Sequence, residues 1–251
     1  MGKGRSAERS ISRPMTDSTI VAMGGGGFGD NGLETPLDEH ILSLARSARG
    51  RARPRVCYLP TASGDAAPAI VRFYSAFARR ADASHLGLFD RSVLDLERFL
   101  HDQDAVYVGG GNTANMLAIW RVHGLDRILR RAWEDGIVLA GRSAGSICWF
   151  EGGTTDSFGG LDALPDGLGF LPGSHSPHYD GEPERRPTYQ RLVASGELPP
   201  GYAADDGAAL VFRGTELAEV VAELPAARGY RVERGPDGTA VETQLATRYL
   251  G

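Results

Sequence analysis

Apolar runs of strand length alternate with segments of helical spacing over the first 150 residues, and this alternation constrains the fold more than any other feature of the chain. TIVAM (19–23), PRVCYL (54–59), SHLGLF (84–89), AVYV (105–108) and IVLA (137–140) are nearly continuous in apolar residues. Between them lie PLDEHILSLARSAR, AAPAIVRFYSAFARRA, SVLDLERFLHD, NTANMLAIWRVHG and LDRILRRAWEDG, each with apolar residues three and four apart. Strands buried on both faces and joined by helical crossovers predict an α/β fold, a mostly parallel sheet with helices on both faces. Ligands of such sheets bind beyond the carboxyl ends of the strands. In this chain three of those ends carry glycine: GGGG at 24–27, GGG at 109–111 and GRSAG at 141–145.

Past residue 150 the character changes. GLGFLPGSHSPHYDGEPERRPTYQRLVASG reads as a loop and a short helix, and SICWF, after the serine, as helix. ALVFRG, LAEVVAEL and GYRVERGPDGTAVETQLATRYL read as C-terminal antiparallel strands and hairpins that extend or edge the same sheet, with Pro236-Asp237-Gly238 as a turn. The 251 residues fit one α/β domain over 18–251, preceded by a polar, basic tail over 1–17 that is expected to be disordered and lacks the apolar centre of a secretory signal.

A net charge of −5, with basic residues scattered rather than gathered into a stripe, excludes nucleic acid as the expected partner. No run approaches the ~20 apolar residues of a membrane span. Cys57 and Cys148 sit singly in apolar runs, without the spacing of a zinc site or a disulfide framework, and read as buried thiols of a cytoplasmic protein.

GGGGFG at 24–29 matches the dinucleotide pattern G-x-G-x-x-G. However, DNGLETP separates it from its helix and the next strand ends without a carboxylate, so context favours a plain glycine turn. VGGGNT at 108–113 has two readings: a tight turn with Asn112 and Thr113 as helix start, or backbone N–H groups turned into a site.

GRSAG has the form G-x-S-x-G between a strand and a helix, which holds a serine at the top of a strained turn. Ser143 is therefore the candidate nucleophile, with the N–H of Ala144 beside the reacting oxygen. Its base must come from six histidines. His40, His85, His101 and His123 fall on helices or at a strand start; His175 and His178 lie in the polar GSHSPHYDGEP segment, where loops carry function. The H-x-x-H spacing lacks the further ligands a metal needs. No histidine follows His178, so either the acid lies between serine and histidine, at Asp156, Asp162 or Asp166, or the order is Ser, His, acid.

VGGGNT, GRSAGSICWF followed by TTD, PHYD followed by an arginine-containing helix, and ADDGAAL occur in this order over residues 19–211. In order and spacing they resemble the peptidase E and cyanophycinase family of serine peptidases, whose fold is similar to class I glutamine amidotransferases with serine in place of cysteine. The resemblance implies Ser143 as nucleophile, His178 as general base and Asp206 as the orienting acid, where the dipeptidases of the family carry glutamate; Asp205 and Asp156 are the alternatives. It implies an oxyanion held by the N–H groups of Ala144 and Gly111, and acyl transfer without metal or organic cofactor. Asn112 would fix the substrate's amino end. An arginine after the histidine loop, Arg186 ahead of Arg185 and Arg191, would pair with an N-terminal aspartate side chain. The implied function is cleavage of small peptides, as a dipeptidase favouring N-terminal Asp, in a homodimer. A β-aspartyl peptide hydrolase of cyanophycinase type, another acyl hydrolase, and a non-enzymatic binding protein on the same scaffold are the competing readings.

Overall fold

The computed structural model describes residues 18–28 and 33–251. The expected tail, and Gly29 of the glycine pattern, lie outside the described residues. The first half of the chain runs β1 (Thr19–Met23), α1 (Pro36–Arg49), β2 (Arg55–Leu59), α2 (Ala67–Phe77), β3 (Asp82–His85), α3 (Leu96–His101), β4 (Ala105–Val108), α4 (Thr113–His123), α5 (Leu125–Glu134) and β5 (Val138–Arg142). β1, β5, β4, β2 and β3 lie side by side in that order and all pair in parallel, as the alternation predicts.

Because a strand turns successive side chains to opposite faces, each of these strands serves two cores. Ile20, Cys57, Val106 and Leu139 enter one buried cluster with α4 and α5, while Val21, Val56, Tyr107 and Ala140 enter another with α1 and α2. Local chemistry sets the helix ends. Thr35 and Asp38 form a reciprocal capping box at the start of α1, and Gly50 ends it at φ 68°, a left-handed conformation that glycine adopts without strain. Both cysteines are buried free thiols, and burial pushes Cys57 up to about 12.

The second half departs from the expected single sheet. After α6 (Ala144–Ile147) come β6 (Phe150–Thr155), β7 (Asp162–Leu164), β8 (Leu171–Ser176), α7 (Arg185–Ser195), β9 (Gly201–Ala204), β10 (Ala208–Arg213), β11 (Glu216–Ala222), β12 (Gly229–Arg234), β13 (Ala240–Gln244) and β14 (Thr247–Tyr249). β10 joins β1 antiparallel, and β11 and β14 continue outward, so these three extend the parallel sheet. β9, β12 and β13 instead pair with β6, β7 and β8 in a second, six-stranded sheet. Phe212 of β10 meets Phe150 of β6 and Tyr202 of β9 edge to face, at 5.7 and 5.5 Å between ring centres, so one apolar cluster runs from sheet to sheet.

Two further expectations change. SICWF is helical only to Ile147 and then enters β6; its residues are buried in either state, so periodicity does not separate them. LPGSHS is a strand, not a loop, with Leu171, Ser174, His175 and Ser176 buried. Its polar groups are satisfied internally: Ser174 Oγ lies 2.8 Å from Tyr189 Oη, Ser176 Oγ 2.8 Å from Thr154 Oγ1, and His175 Nδ1 3.2 Å from the Tyr202 carbonyl.

Candidate active site

Ser143 joins the last parallel strand to α6 at φ 54° and ψ −120°, a region non-glycine residues rarely enter. The flanking glycines make the turn possible by close approach. A Cβ on Gly141 would overlap the Gly145 carbonyl, and a Cβ on Gly145 would overlap the Val108 carbonyl of β4. Ser143 N–H donates to the Met23 carbonyl (3.3 Å), and Ser146 Oγ donates to the Ser143 carbonyl (2.8 Å), which fixes the turn from both sides. Ser146 Oγ also lies 3.1 Å from Nε2 of fully buried His175, a ring that burial holds down at about 3 and therefore neutral. Ser143 Oγ makes no hydrogen bond among the described residues, so it is free to meet an incoming group.

The glycines after β4 stand against this turn. A Cβ on Gly110 would lie 3.2 Å from Ser143 Cβ, and Gly111 sits at φ 140° against the Ala62 carbonyl. Among the described residues, neither Gly111 N–H nor Ala144 N–H has a backbone acceptor. Asn112 caps α4, its Oδ1 accepting from Asn115 N–H (2.8 Å) and its Nδ2 donating to the Ser157 carbonyl (3.1 Å).

His178 follows β8 and takes a left-handed φ of 51°. Its Nδ1 lies 2.6 Å from Oδ1 of Asp206. Since the carboxylate only accepts, Nδ1–H donates and Nε2 is left as the basic nitrogen. The hydrogen bond from His178 holds the Asp206 carboxyl below its ordinary range, with the charges of His178, Arg142 and Arg185 adding to the effect. A Cβ at Gly25 would overlap Asp206 and stand 3.1 Å from His178 Cε1, so the glycine turn after β1 leaves room for the pair. Asp205 is engaged elsewhere. Its Oδ2 accepts from Arg228 N–H (2.9 Å) and Tyr230 Oη (3.1 Å), and burial raises its pKa.

A cleft of about 310 Å³ opens over Ser143, lined also by Gly111, Asn112, Asp156, Glu182 and Arg185. The structure thus brings Arg185 to the cleft lining and places Arg186 outside it. Neighbours on a helix do not share a face. Arg186 pairs with Glu242, which also accepts from Tyr179 Oη (2.6 Å) and Gln190 Nε2 (2.9 Å), and its guanidinium lies over the rings of Tyr179 and Tyr230. Arg185, only 3% exposed, donates to the Thr154 carbonyl (3.0 Å) and to Glu182 Oε2 (2.6 Å), leaving Nη2 unengaged among the described residues. Sequence reasoning does not place Glu182 at the cleft; it lies in the irregular connection before α7, where no period marks which way a residue faces.

A serine on a strained turn, two N–H groups without an acceptor among the described residues and a histidine ordered by a carboxylate form the set that acyl transfer uses. The model of peptidase family S51 matches residues 20–220. The chain belongs to this family. An uncharacterized peptidase of Bacillus subtilis (strain 168), YgaJ, is 50% identical over 234 residues, covering 92% of this chain and 99% of that protein. Among solved structures, a peptidase from an acI-B1 Actinobacterium superposes with a TM-score of 0.63 at 19% identity, covering 92% of this chain and 94% of its own. A peptidase E-type protein of Listeria monocytogenes EGD-e gives 0.56 at 17% identity, covering 91% and 99%. These two share the fold. Among the described residues of this S51 peptidase, no helix is long and apolar enough to cross a membrane, and no three metal-binding side chains are grouped to hold a metal ion.

Proposed function

We propose that the protein is a serine peptidase that cleaves small peptides through an acyl-enzyme at Ser143, as a dipeptidase favouring N-terminal aspartate. The observation that carries this reading is the 2.6 Å contact of His178 Nδ1 with Asp206, held beside the glycine turn whose strand accepts the Ser143 N–H. His178 Nε2 takes the Ser143 proton as Oγ attacks the peptide carbonyl, and returns it to the leaving amine. Water then repeats the sequence on the ester. Ala144 N–H and Gly111 N–H stabilise the oxyanion; losing one such donor typically raises the barrier by about 2.7–4 kcal/mol.

Arg185 supports the acidic preference. It is buried at the cleft and oriented by Thr154 and Glu182, so its free nitrogen is presented to a side-chain carboxylate. The test is amine release from Asp-Leu, Glu-Leu, Ala-Leu and β-Asp-Leu. Asp-Leu is expected to turn over fastest, with activity lost in Ser143→Ala. Arg185→Met is expected to lower the Asp-Leu to Ala-Leu ratio of kcat/KM by about 10- to 100-fold, whereas Arg186→Met leaves it within about twofold. Faster turnover of β-Asp-Leu would transfer the assignment to an isopeptide hydrolase, and a ratio unmoved by Arg185→Met would remove the arginine from recognition.

A further inference from the structure

Arg142, the residue before the nucleophile, has no role in the chemistry above, yet its charge acts on Asp206. It ends β5 on the face of Val138 and Ala140, toward α1 and α2, whereas Arg185 approaches from α7 over the second sheet. Its guanidinium lies 5.7 Å from the Phe28 ring, and Phe28 in turn contacts Tyr58 and Tyr107 at 5.5 and 5.0 Å. The Nε of Arg142 is buried without an acceptor, and no hydrogen bond or ion pair engages the side chain among the described residues. Arg72 of α2 repeats this: its Nε is also buried and unpartnered among the described residues.

Both guanidinium charges act on the Tyr58 hydroxyl, which lies against Gly109, the neighbour of the glycine that abuts Ser143. Carboxylates stand nearby, each with one oxygen taken by other donors and the second, Asp65 Oδ1, Glu223 Oε2 and Asp38 Oδ1, buried without a partner among the described residues. Asp65 Oδ2 accepts from Leu88 N–H (2.6 Å) and Phe89 N–H (2.9 Å), Glu223 Oε1 accepts from Gly27 N–H (3.1 Å), and Asp38 Oδ2 accepts from Thr35 N–H (3.1 Å). Among the described residues, none of the three forms an ion pair with either arginine. A guanidinium whose Nε is buried without an acceptor is unfavourable, and its planar fork of donors matches a carboxylate.

We propose that Arg142, backed by Arg72, binds the C-terminal carboxylate of the substrate, directly beyond the scissile bond, and so selects dipeptides over longer chains. The proposal rests on the reading of Ser143 as nucleophile. A further residue would carry that carboxylate about 3.3–3.6 Å farther away, out of reach of a side chain anchored beside the serine. The two arginines then divide the substrate's charges: Arg185 takes the N-terminal side chain and Arg142 the C-terminus.

The test measures how Asp-Leu, Ala-Leu and their C-terminal amides protect Ser143 from labelling by a fluorophosphonate. In the unmodified protein each free acid is expected to protect at a concentration at least about tenfold lower than its amide. Arg142→Met abolishes that difference for both peptides, Arg142→Lys keeps part of it, and Arg72→Met reduces it. Equal protection by acids and amides, in the unmodified protein itself, overturns the proposal whether or not the variants fold. So does an Arg142→Met variant that changes the Asp to Ala ratio while keeping the acid to amide ratio, since its ligand would then be the side-chain carboxylate. Absence of labelling in the unmodified protein would refute the nucleophile as well, which separates that failure from failure of the carboxylate site alone.

Discussion

Asp206 reaches His178 with a side chain one methylene shorter than glutamate because Gly25 and Gly181 clear its path; a Cβ at either would overlap its carboxylate. In the proposed mechanism its function is orientation, since a carboxylate at Nδ1 leaves Nε2 as the base. Asp206→Asn is expected to lower kcat by about 10³–10⁴-fold, with little change in the melting temperature because the pair is partly exposed. Steady-state kinetics on Asp-Leu beside a thermal melt checks both halves. The order of short motifs in the sequence is what proposes Ser143, His178 and Asp206, and the structure sets His178 against Asp206 as a pair. Which arginine faces the cleft is not readable there: ERRP offers two adjacent arginines, and only the helix phase, with Glu242 and two tyrosines holding Arg186, brings Arg185 to it. Arg142 carries no signal in the sequence, because a motif written G-x-S-x-G attaches no meaning to its second position.

Elements place these residues through backbone contacts that tolerate no side chain. In Gly145→Ala the added methyl would meet the Val108 carbonyl and Cβ of β4, which cannot move without disturbing the sheet. The variant is expected to lose about 1–3 kcal/mol of stability and most of its activity, whereas Gly50→Ala, with open space around it, costs only the strain of its left-handed φ. Urea titrations of the two variants test the contrast.

The start of α1 carries a titration of its own. Burial pushes Asp38 up to about 7 from 3.8, with the nearby Glu223 charge adding to the effect. Between those values the folded chain holds a proton that the unfolded chain releases, so Asp38 makes stability fall as pH rises, by up to about 1.4 kcal/mol per pH unit. His175, depressed to about 3 from 6.5, acts in the opposite sense, because there the unfolded chain binds the extra proton and stability rises with pH. Asp38→Asn keeps an oxygen for the capping box. Its stability relative to the unmodified protein is expected to increase steadily from about pH 4 to pH 7; a difference independent of pH would refute the buried proton. The helices and parallel strands were readable because period and caps agree. β8 was not, because a strand of Leu, Pro, Gly, Ser and His is buried only through partners distant in sequence: Thr154, Tyr189 and Tyr202.

Across the molecule, the candidate site lies on the seam between the sheets. Ser143 sits where the chain leaves the eight-stranded sheet for the six-stranded one, Asp206 where it returns through β9 and β10, and His178 on the connection from β8 to α7. Sequence patterning identifies the crossings but not the second sheet, since which sheet a strand joins depends on pairing rather than on its own composition. Such a site works only while both sheets hold their relative positions. Loss of activity in urea is therefore expected to coincide with the change in fluorescence of Trp120, Trp133 and Trp149, all in the cluster shared by the sheets. Separate midpoints would mean that one sheet opens alone.

Mass-spectrometric mapping of the fluorophosphonate adduct tests the nucleophile and its base together. One adduct is expected, on Ser143, forming about 10²–10⁴-fold more slowly in His178→Ala. An adduct on another residue, or an unchanged rate without His178, would contradict the assignment of Ser143 and His178 as nucleophile and base.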